Sequence, residues 1–187
     1  TPPPRPNPPH PATHSGQSAA GIAKIGQEVL VLPGGQKSRV KKIWTFDGPL
    51  KEAFCPQSVT LVLEDDIDIS RGDMLVGADP LPGHSSDLVA RVCWMDSRPL
   101  QRGQKFFMKH GTQTVQATVS SLDNRINIQT YEPEPEPTEL AMNDIGEIKL
   151  RTAKPVVFDG YSTTRLTGSV ILAGQCTNAT VAAGMLH

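Results

Sequence analysis

Apolar side chains in this chain come in short runs that alternate with polar residues and stop at turn formers, a pattern of half-buried strands. Glu28–Leu32 stops at Pro33-Gly34-Gly35, Arg39–Phe46 at Asp47-Gly48, and Gln57–Leu63 at an acidic turn, with Met74–Val76 closing the set. Four strands at this spacing predict a small barrel or sandwich. A lull at Asp79-Pro80-Leu81-Pro82-Gly83-His84-Ser85-Ser86 marks the natural domain boundary. The strand texture then resumes in Leu88–Met95, Lys105–Lys109 and Thr114–Leu122, where Val115, Ala117 and Val119 share a face. Ile126 with Ile128, and Ile148 with Leu150, are expected to share faces too; Ser169–Ala173 and Thr180–Met185 complete the set. Nowhere do apolar residues recur at helical spacing over the length of a helix, so the fold class is all-β. The expected organisation is an irregular lead-in over residues 1–21, one domain over 22–82 and a second over 83–187.

Two segments stand outside that pattern. Residues 1–21, TPPPRPNPPHPATHSGQSAAG, are proline-rich and almost free of large apolar side chains, so little burial is available to offset their ordering entropy. Glu132-Pro133-Glu134-Pro135-Glu136-Pro137 alternates acid and proline. Proline lacks the N–H that a ladder needs, which predicts an extended, solvated surface connection inside the second domain.

Composition removes several classes of function. The 187 residues carry 18 basic and 19 acidic side chains, so no excess of positive field is available for phosphates and nucleic acid is not an expected partner. Cys55, Cys93 and Cys176 are odd in number and far apart in sequence, which suits a reducing compartment without a disulfide framework or zinc site. No signal-peptide pattern opens the chain, and no apolar run approaches the roughly 18 residues of a membrane span. A cytoplasmic protein without a membrane partner is expected.

Candidate chemistry was sought motif by motif. Pro33-Gly34-Gly35-Gln36-Lys37-Ser38 superficially resembles a phosphate-binding loop, but Gln36 and Val31 stand where its two obligatory glycines belong, so a hairpin turn is expected. His10, His14, His84, His110 and His187 show no zinc-ligand spacing, and His110 beside Gly111 reads as a turn residue. Ser58, Ser120 and Ser121 lack the glycine elbow of a hydrolase nucleophile. Asn178-Ala179-Thr180 matches a glycosylation sequon that a cytoplasmic chain would never expose to the transferase. Arg71-Gly72-Asp73 matches an adhesion triplet, yet adhesion needs secretion. The plainer role for Gly72 is backbone freedom at a turn, with Ile67 and Ile69 anchoring it and Arg71 pairing with Asp65, Asp66 or Asp68. No catalytic, cofactor-binding or metal-ligating residue is assigned.

Several ordered motifs carry a resemblance. Thr45-Phe46-Asp47-Gly48, then Glu52-Ala53-Phe54-Cys55-Pro56-Gln57-Ser58-Val59-Thr60-Leu61-Val62-Leu63-Glu64-Asp65, then Asp68-Ile69-Ser70-Arg71-Gly72-Asp73, resemble the second domain of translation-factor GTPases. Within that superfamily the match looks closest to the family of sulfate adenylyltransferase subunit 1, the GTPase subunit of bacterial ATP sulfurylase. Trp94-Met95, Ala141-Met142-Asn143-Asp144-Ile145-Gly146, Thr167-Gly168-Ser169-Val170-Ile171-Leu172 and Thr177-Asn178-Ala179-Thr180-Val181-Ala182-Ala183-Gly184-Met185 look like that family's third domain, in order. The similarity runs from about Gly21 to Leu186. Before it only Arg5-Pro6-Asn7 fits, so the first barrel strand is expected to be missing or irregular.

The resemblance implies two consecutive small β-barrels, like domains II and III of translation-factor GTPases. It implies a parent enzyme that joins sulfate to ATP, giving adenylylsulfate and pyrophosphate, and that uses GTP, ATP and magnesium. The family's GTPase motifs, the P-loop, Asp-x-x-Gly and Asn-Lys-x-Asp, do not occur in these 187 residues. By itself the chain is therefore expected to be inactive and to hold no cofactor. Its implied partners are a GTPase domain and the small adenylyltransferase subunit, its role bracing and interface formation. The alternative is an elongation-factor-like fragment binding aminoacyl-tRNA, against which the near-neutral charge weighs.

Overall fold

A computed structural model describes residues 13–78 and 81–187. Its compact units are two: residues 13–70 with 75–78 and Leu81, and residues 71–74 with 82–187. Among the described residues, seventeen strands and one single-turn helix make an all-β fold. The first eight strands are β1 (Thr13–Gln17), β2 (Ile22–Lys24), β3 (Glu28–Leu32), β4 (Gln36–Thr45), β5 (Gly48–Leu50), β6 (Glu52–Phe54), β7 (Ser58–Leu63) and β8 (Met74–Gly77). They pair in the order β1-β7-β4-β3-β8, with β5 also on β4 and a separate ladder of β2 with β6. Val29, Val40, Ile43, Ala53, Val59 and Leu63 form the core of this unit.

Alternation explains most of this packing: along β4, Ser38 and Val40 point inward and their neighbours outward. The alternation slips once. A register shift between Val40 and Lys42 in the pairing of β4 with β7 marks a β-bulge. Lys41 and Lys42 are consecutive exposed residues, and Ile43 returns to the core with no exposed surface.

The irregular lead-in requires correction. Thr13–Gln17 is a regular strand, paired antiparallel with β7 from Thr13↔Val62 to Gln17↔Ser58. Its polar sequence hid it because an edge strand is held by backbone bonds and cross-strand pairs rather than by burial. One such pair joins Ser15 Oγ and Thr60 Oγ1 at 2.9 Å. The proline-rich residues 1–12 lie outside the described residues.

The second unit contains β9 (Gly83–Trp94), β10 (Leu100–Gln101), β11 (Lys105–His110), β12 (Gln113–Ile126), β13 (Pro133–Pro135), β14 (Glu139–Leu140), β15 (Ile145–Phe158), α1 (Arg165–Gly168), β16 (Ser169–Gly174) and β17 (Thr180–Leu186). Strands β11, β16, β17, β9, β15 and β12 follow one another, and a β11–β12 pairing closes the ring into a barrel. Leu88, Ala90, Val92, Trp94, Met108, Ala117, Ile148, Leu150 and Leu172 fill its interior. Trp94 meets Phe106 edge-on at 5.5 Å and donates its indole N–H to the Arg98 carbonyl at 2.8 Å.

Two other expectations fail here. Pro133–Pro135 pairs with Asn124–Ile126 of β12. Both prolines occupy an edge, where a missing donor costs little, and the Glu134 amide between them remains available. Ile128 does not share a face with Ile126, because the chain leaves β12 at Ile126 and turns, exposing 68% of Ile128.

The barrel closes tightly around Gly146. A Cβ on Gly146 would stand 2.5 Å from the Asn124 carbonyl oxygen and 2.9 Å from Leu140 Cδ1, whereas one on Gly16 of β1 would meet nothing within 4 Å. Gly146→Ala should therefore destabilise the barrel by about 1–3 kcal/mol, the usual range for overpacking. Urea unfolding followed by near-ultraviolet circular dichroism should show a lowered midpoint for Gly146→Ala and an unchanged one for Gly16→Ala.

Candidate functional site

The phosphate-loop resemblance ends in a β-hairpin. Val31 pairs with Gln36 and Leu30 with Lys37, and the Gly35 amide donates to the Val31 carbonyl at 2.7 Å. Amides turned inward to a ladder cannot cradle a phosphate. Ser38 is buried and donates its hydroxyl to Asp65 Oδ2 at 2.8 Å. Among the described residues no group of three or more histidine, cysteine, aspartate or glutamate side chains could hold a metal ion. These residues do not fit a nucleotide phosphate or magnesium, and no chemical step is derived through either.

The other singled-out residues are dispersed. His110 is a buried strand-end residue, correcting its reading as a turn: its ring Nε2 lies 2.8 Å from the Thr167 carbonyl, while Gly111 takes the left-handed conformation at φ 54°. His14 is in β1, His84 in β9, and His187 ends the chain; His10 lies outside the described residues. Ser58 begins β7, and Ser120 and Ser121 lie within β12, where the Ser121 hydroxyl donates to Asp123 at 2.6 Å. Cys55, Cys93 and Cys176 are free thiols. Asn178 occupies a left-handed turn position between β16 and β17.

Around the adhesion triplet, Gly72 has φ 104°, the freedom a turn requires. Ile67 is buried, and Ile69 packs against the first unit's core. Asp65 accepts from the Ser38 hydroxyl at 2.8 Å, and its own amide donates to that oxygen at 3.2 Å. No helix among the described residues is long and apolar enough to cross a membrane.

What the structure does assemble is charge pairing on the second unit's outer surface. Arg151 Nε bonds Asp87 at 2.8 Å across β15 and β9, Lys149 Nζ reaches Asp123 at 3.0 Å, and Arg91 stands 3.8 Å from Glu147. Exposed pairs of this kind contribute only about 0–1 kcal/mol each. Their consequence is that Arg91, Lys149 and Arg151 are neutralised by carboxylates on neighbouring strands.

The most extensive polar network pins the acidic edge. Arg125 donates through Nε to Glu134 Oε2 at 2.9 Å and through a second nitrogen at 2.5 Å, and stands 3.7 Å from Asp144. Asn127 donates its amide to Glu134 Oε1 at 3.0 Å and accepts from the Gln129 and Thr130 amides. Arg125 first, then Asn127, holds the Glu134 carboxyl below the usual range. Arg125 and Glu134 are nine residues apart with a turn between, so no local periodicity announced them.

Comparison with known proteins places this geometry among relatives. A family model described as GTP-eEF1A C-terminal domain-like matches residues 87–187. The bifunctional enzyme CysN/CysC of Rhodopirellula baltica is 45% identical over 171 residues, which is 91% of this chain and 26% of that protein. Sulfate adenylyltransferase subunit 1 of Alteromonas mediterranea is 40% identical over 172 residues, 92% of this chain and 36% of that protein. The chain thus spans only about a quarter to a third of the length of the relatives it matches. Among solved structures, Sup35 complexed with GMPPNP matches with a TM-score of 0.84 at 20% identity, covering 93% of this chain and 43% of that one. The apo elongation factor SelB of Methanococcus maripaludis matches at 0.75, also at 20% identity, covering 94% and 39%. At that identity these two show the fold alone.

Because Glu134 titrates below an unfolded glutamate, its contribution to stability is complete above the ordinary carboxylate range and is lost as pH falls through the lowered value. An NMR titration of the Glu134 carboxyl should give a midpoint below that of an exposed glutamate. In Arg125→Gln the midpoint should rise toward the ordinary value; an unchanged midpoint would remove Arg125 as its main cause.

Proposed function

This chain belongs to the GTP-eEF1A C-terminal domain-like family, and from that premise we propose that it is the C-terminal β-barrel half of the GTPase-bearing large subunit of a sulfate adenylyltransferase. The parent activity is the joining of sulfate to ATP, giving adenylylsulfate and pyrophosphate, coupled to GTP hydrolysis in sulfate assimilation. The observation that carries the reading is identity of 40–45% across 91–92% of the chain with proteins bearing the sulfate adenylyltransferase subunit 1 and CysN/CysC names. The translation-factor GTPase neighbours supply the fold at 20% identity and therefore do not favour a tRNA-binding fragment over this reading.

In this role the chain carries no nucleotide chemistry; GTP, ATP and magnesium are handled by the rest of the parent and by its small subunit. Its work is mechanical and interfacial. A GTPase domain that changes conformation with its nucleotide needs a stiff body against which the change becomes a movement, and a barrel whose ladder closes on itself, as in the second unit, is stiff. A second surface of the same body meets the small adenylyltransferase subunit, so that nucleotide state alters subunit contacts. Nucleic acid and membrane are not partners in this reading, which fits the near-neutral charge.

Fusing the chain to the GTPase domain of a large subunit, together with the small subunit, should restore GTP-dependent adenylylsulfate formation that neither the chain nor the GTPase domain supports alone. A fusion that fails while circular dichroism shows both barrels folded would overturn the assignment.

A further inference from the structure

The outer face of the first unit's sheet carries a feature that the parent reading does not use. Strands β1, β7 and β4 lie side by side there, and their pairing stacks side chains in rows. Ser15, Thr60 and Trp44 form one row, and Thr13, Val62 and Lys42 the next. Trp44 is 42% exposed and Phe46, one step further along β4's direction, is fully exposed. Two adjoining grooves of about 470 and 420 Å³ meet at Trp44 and Thr60. Thr13, Lys41, Lys42 and Val62 complete the first, and Ser15, Gly16, Thr45, Phe46, Ser58 and Val59 the second.

Charge decides what fits. Among the described residues neither groove is lined by an acidic side chain, and the first is lined by two lysines. Both stand there because the bulge at Lys41 breaks the in-out alternation of β4 and turns two consecutive lysines outward beside Trp44. Bulges of this kind re-aim side chains at working surfaces. An exposed tryptophan and phenylalanine flanked by lysine stems make the composition of an interface anchor, where aromatic side chains supply most of the energy and charge sets the orientation.

A track for single-stranded nucleic acid needs a longer run of cations interleaved with stacking platforms. Here the positive charge is confined to one end of one groove, and Asp47 follows Phe46 directly. The open shape, spread along three strands, suits an extended peptide better than an enclosed small molecule.

The geometry points to a docking surface on β1, β7 and β4 for an acidic protein segment. An aromatic or branched aliphatic side chain of that segment enters the groove at Trp44, and its carboxylates meet Lys41 and Lys42. The surface acts in this way whether or not the chain serves sulfate activation.

The chain has two tryptophans, and Trp94 is buried, so a change of exposed tryptophan emission reports Trp44. The probes are a short synthetic peptide, Asp-Glu-Glu-Phe-Leu-Glu-Asp, its counterpart with lysine at every acidic position, and its counterpart with alanine at the two apolar positions. The acidic apolar peptide should shift and quench Trp44 emission saturably, binding at least about tenfold more tightly than either counterpart and weakening with salt. The double variant Lys41→Glu, Lys42→Glu should reverse the order of the acidic and basic peptides, with dispersed NMR amide signals from β3, β4 and β7 confirming that the first unit is folded. No saturable change up to about 1 mM acidic peptide, a range that covers even weak peptide docking, would overturn the proposal. Equal binding of the basic peptide, or tighter binding of an oligothymidylate, would overturn it as well, the latter in favour of a nucleic-acid surface.

Discussion

The second unit depends on one pairing, that of β11 with β12. Six strands in sequence would leave an open sheet with two bare edges, each a template for association with another chain. The ladder from Lys105↔Thr118 to His110↔Gln113 removes both edges at once and gives each ring strand two neighbours. Strand β12 is long enough to do more. Past Thr118, where its pairing with β11 stops, the same strand runs on and takes β13 as a partner at Asn124–Ile126. The acidic edge is therefore built on a strand already fixed by the ring, with Arg125 and Asn127 locking Glu134 in place.

Closure also determines where function can lie. The ring's interior is filled by side chains such as Trp94, Met108, Ile148 and Leu172, each essentially without exposed surface. A small barrel packed in this way has no room for a ligand. Three cross-strand ion pairs, Arg91–Glu147, Lys149–Asp123 and Arg151–Asp87, stand on its outer face. What remains for work is surface, the premise of the bracing and interface role proposed above. In the first unit the corresponding work falls to the outer face of β1, β7 and β4, where a bulge places two lysines beside an exposed tryptophan.

Much of the fold was legible because alternation and turn chemistry act locally. The runs at Glu28–Leu32, Gln57–Leu63 and Ser169–Ala173 announce their strands through side chains that must face a core. Strand β1 was not legible, since an edge strand of threonine, histidine, serine, glycine and glutamine is held by its ladder to β7. Strand β13 was hidden for the opposite reason: its prolines argue against pairing, yet an edge needs only one side of the backbone. The burial of His110 follows from its bond to the Thr167 carbonyl, a contact 57 residues away that no local pattern contains. Only the bulge left a trace in the sequence, in the paired lysines between Val40 and Ile43 that break the period of two.

Closure is also open to direct measurement. Native-state amide hydrogen exchange, followed residue by residue by NMR on the 187-residue chain, compares the β11–β12 ladder with the β9–β15 ladder elsewhere in the ring. A closed barrel requires the hydrogen-bonded amides of Phe106–His110 and Gln113–Thr118 to be protected to the same degree as those of Ile148–Leu150 and Leu88–Ala90. Exchange of the first set faster by several orders of magnitude, with the second still protected, would show an open sheet and contradict the account.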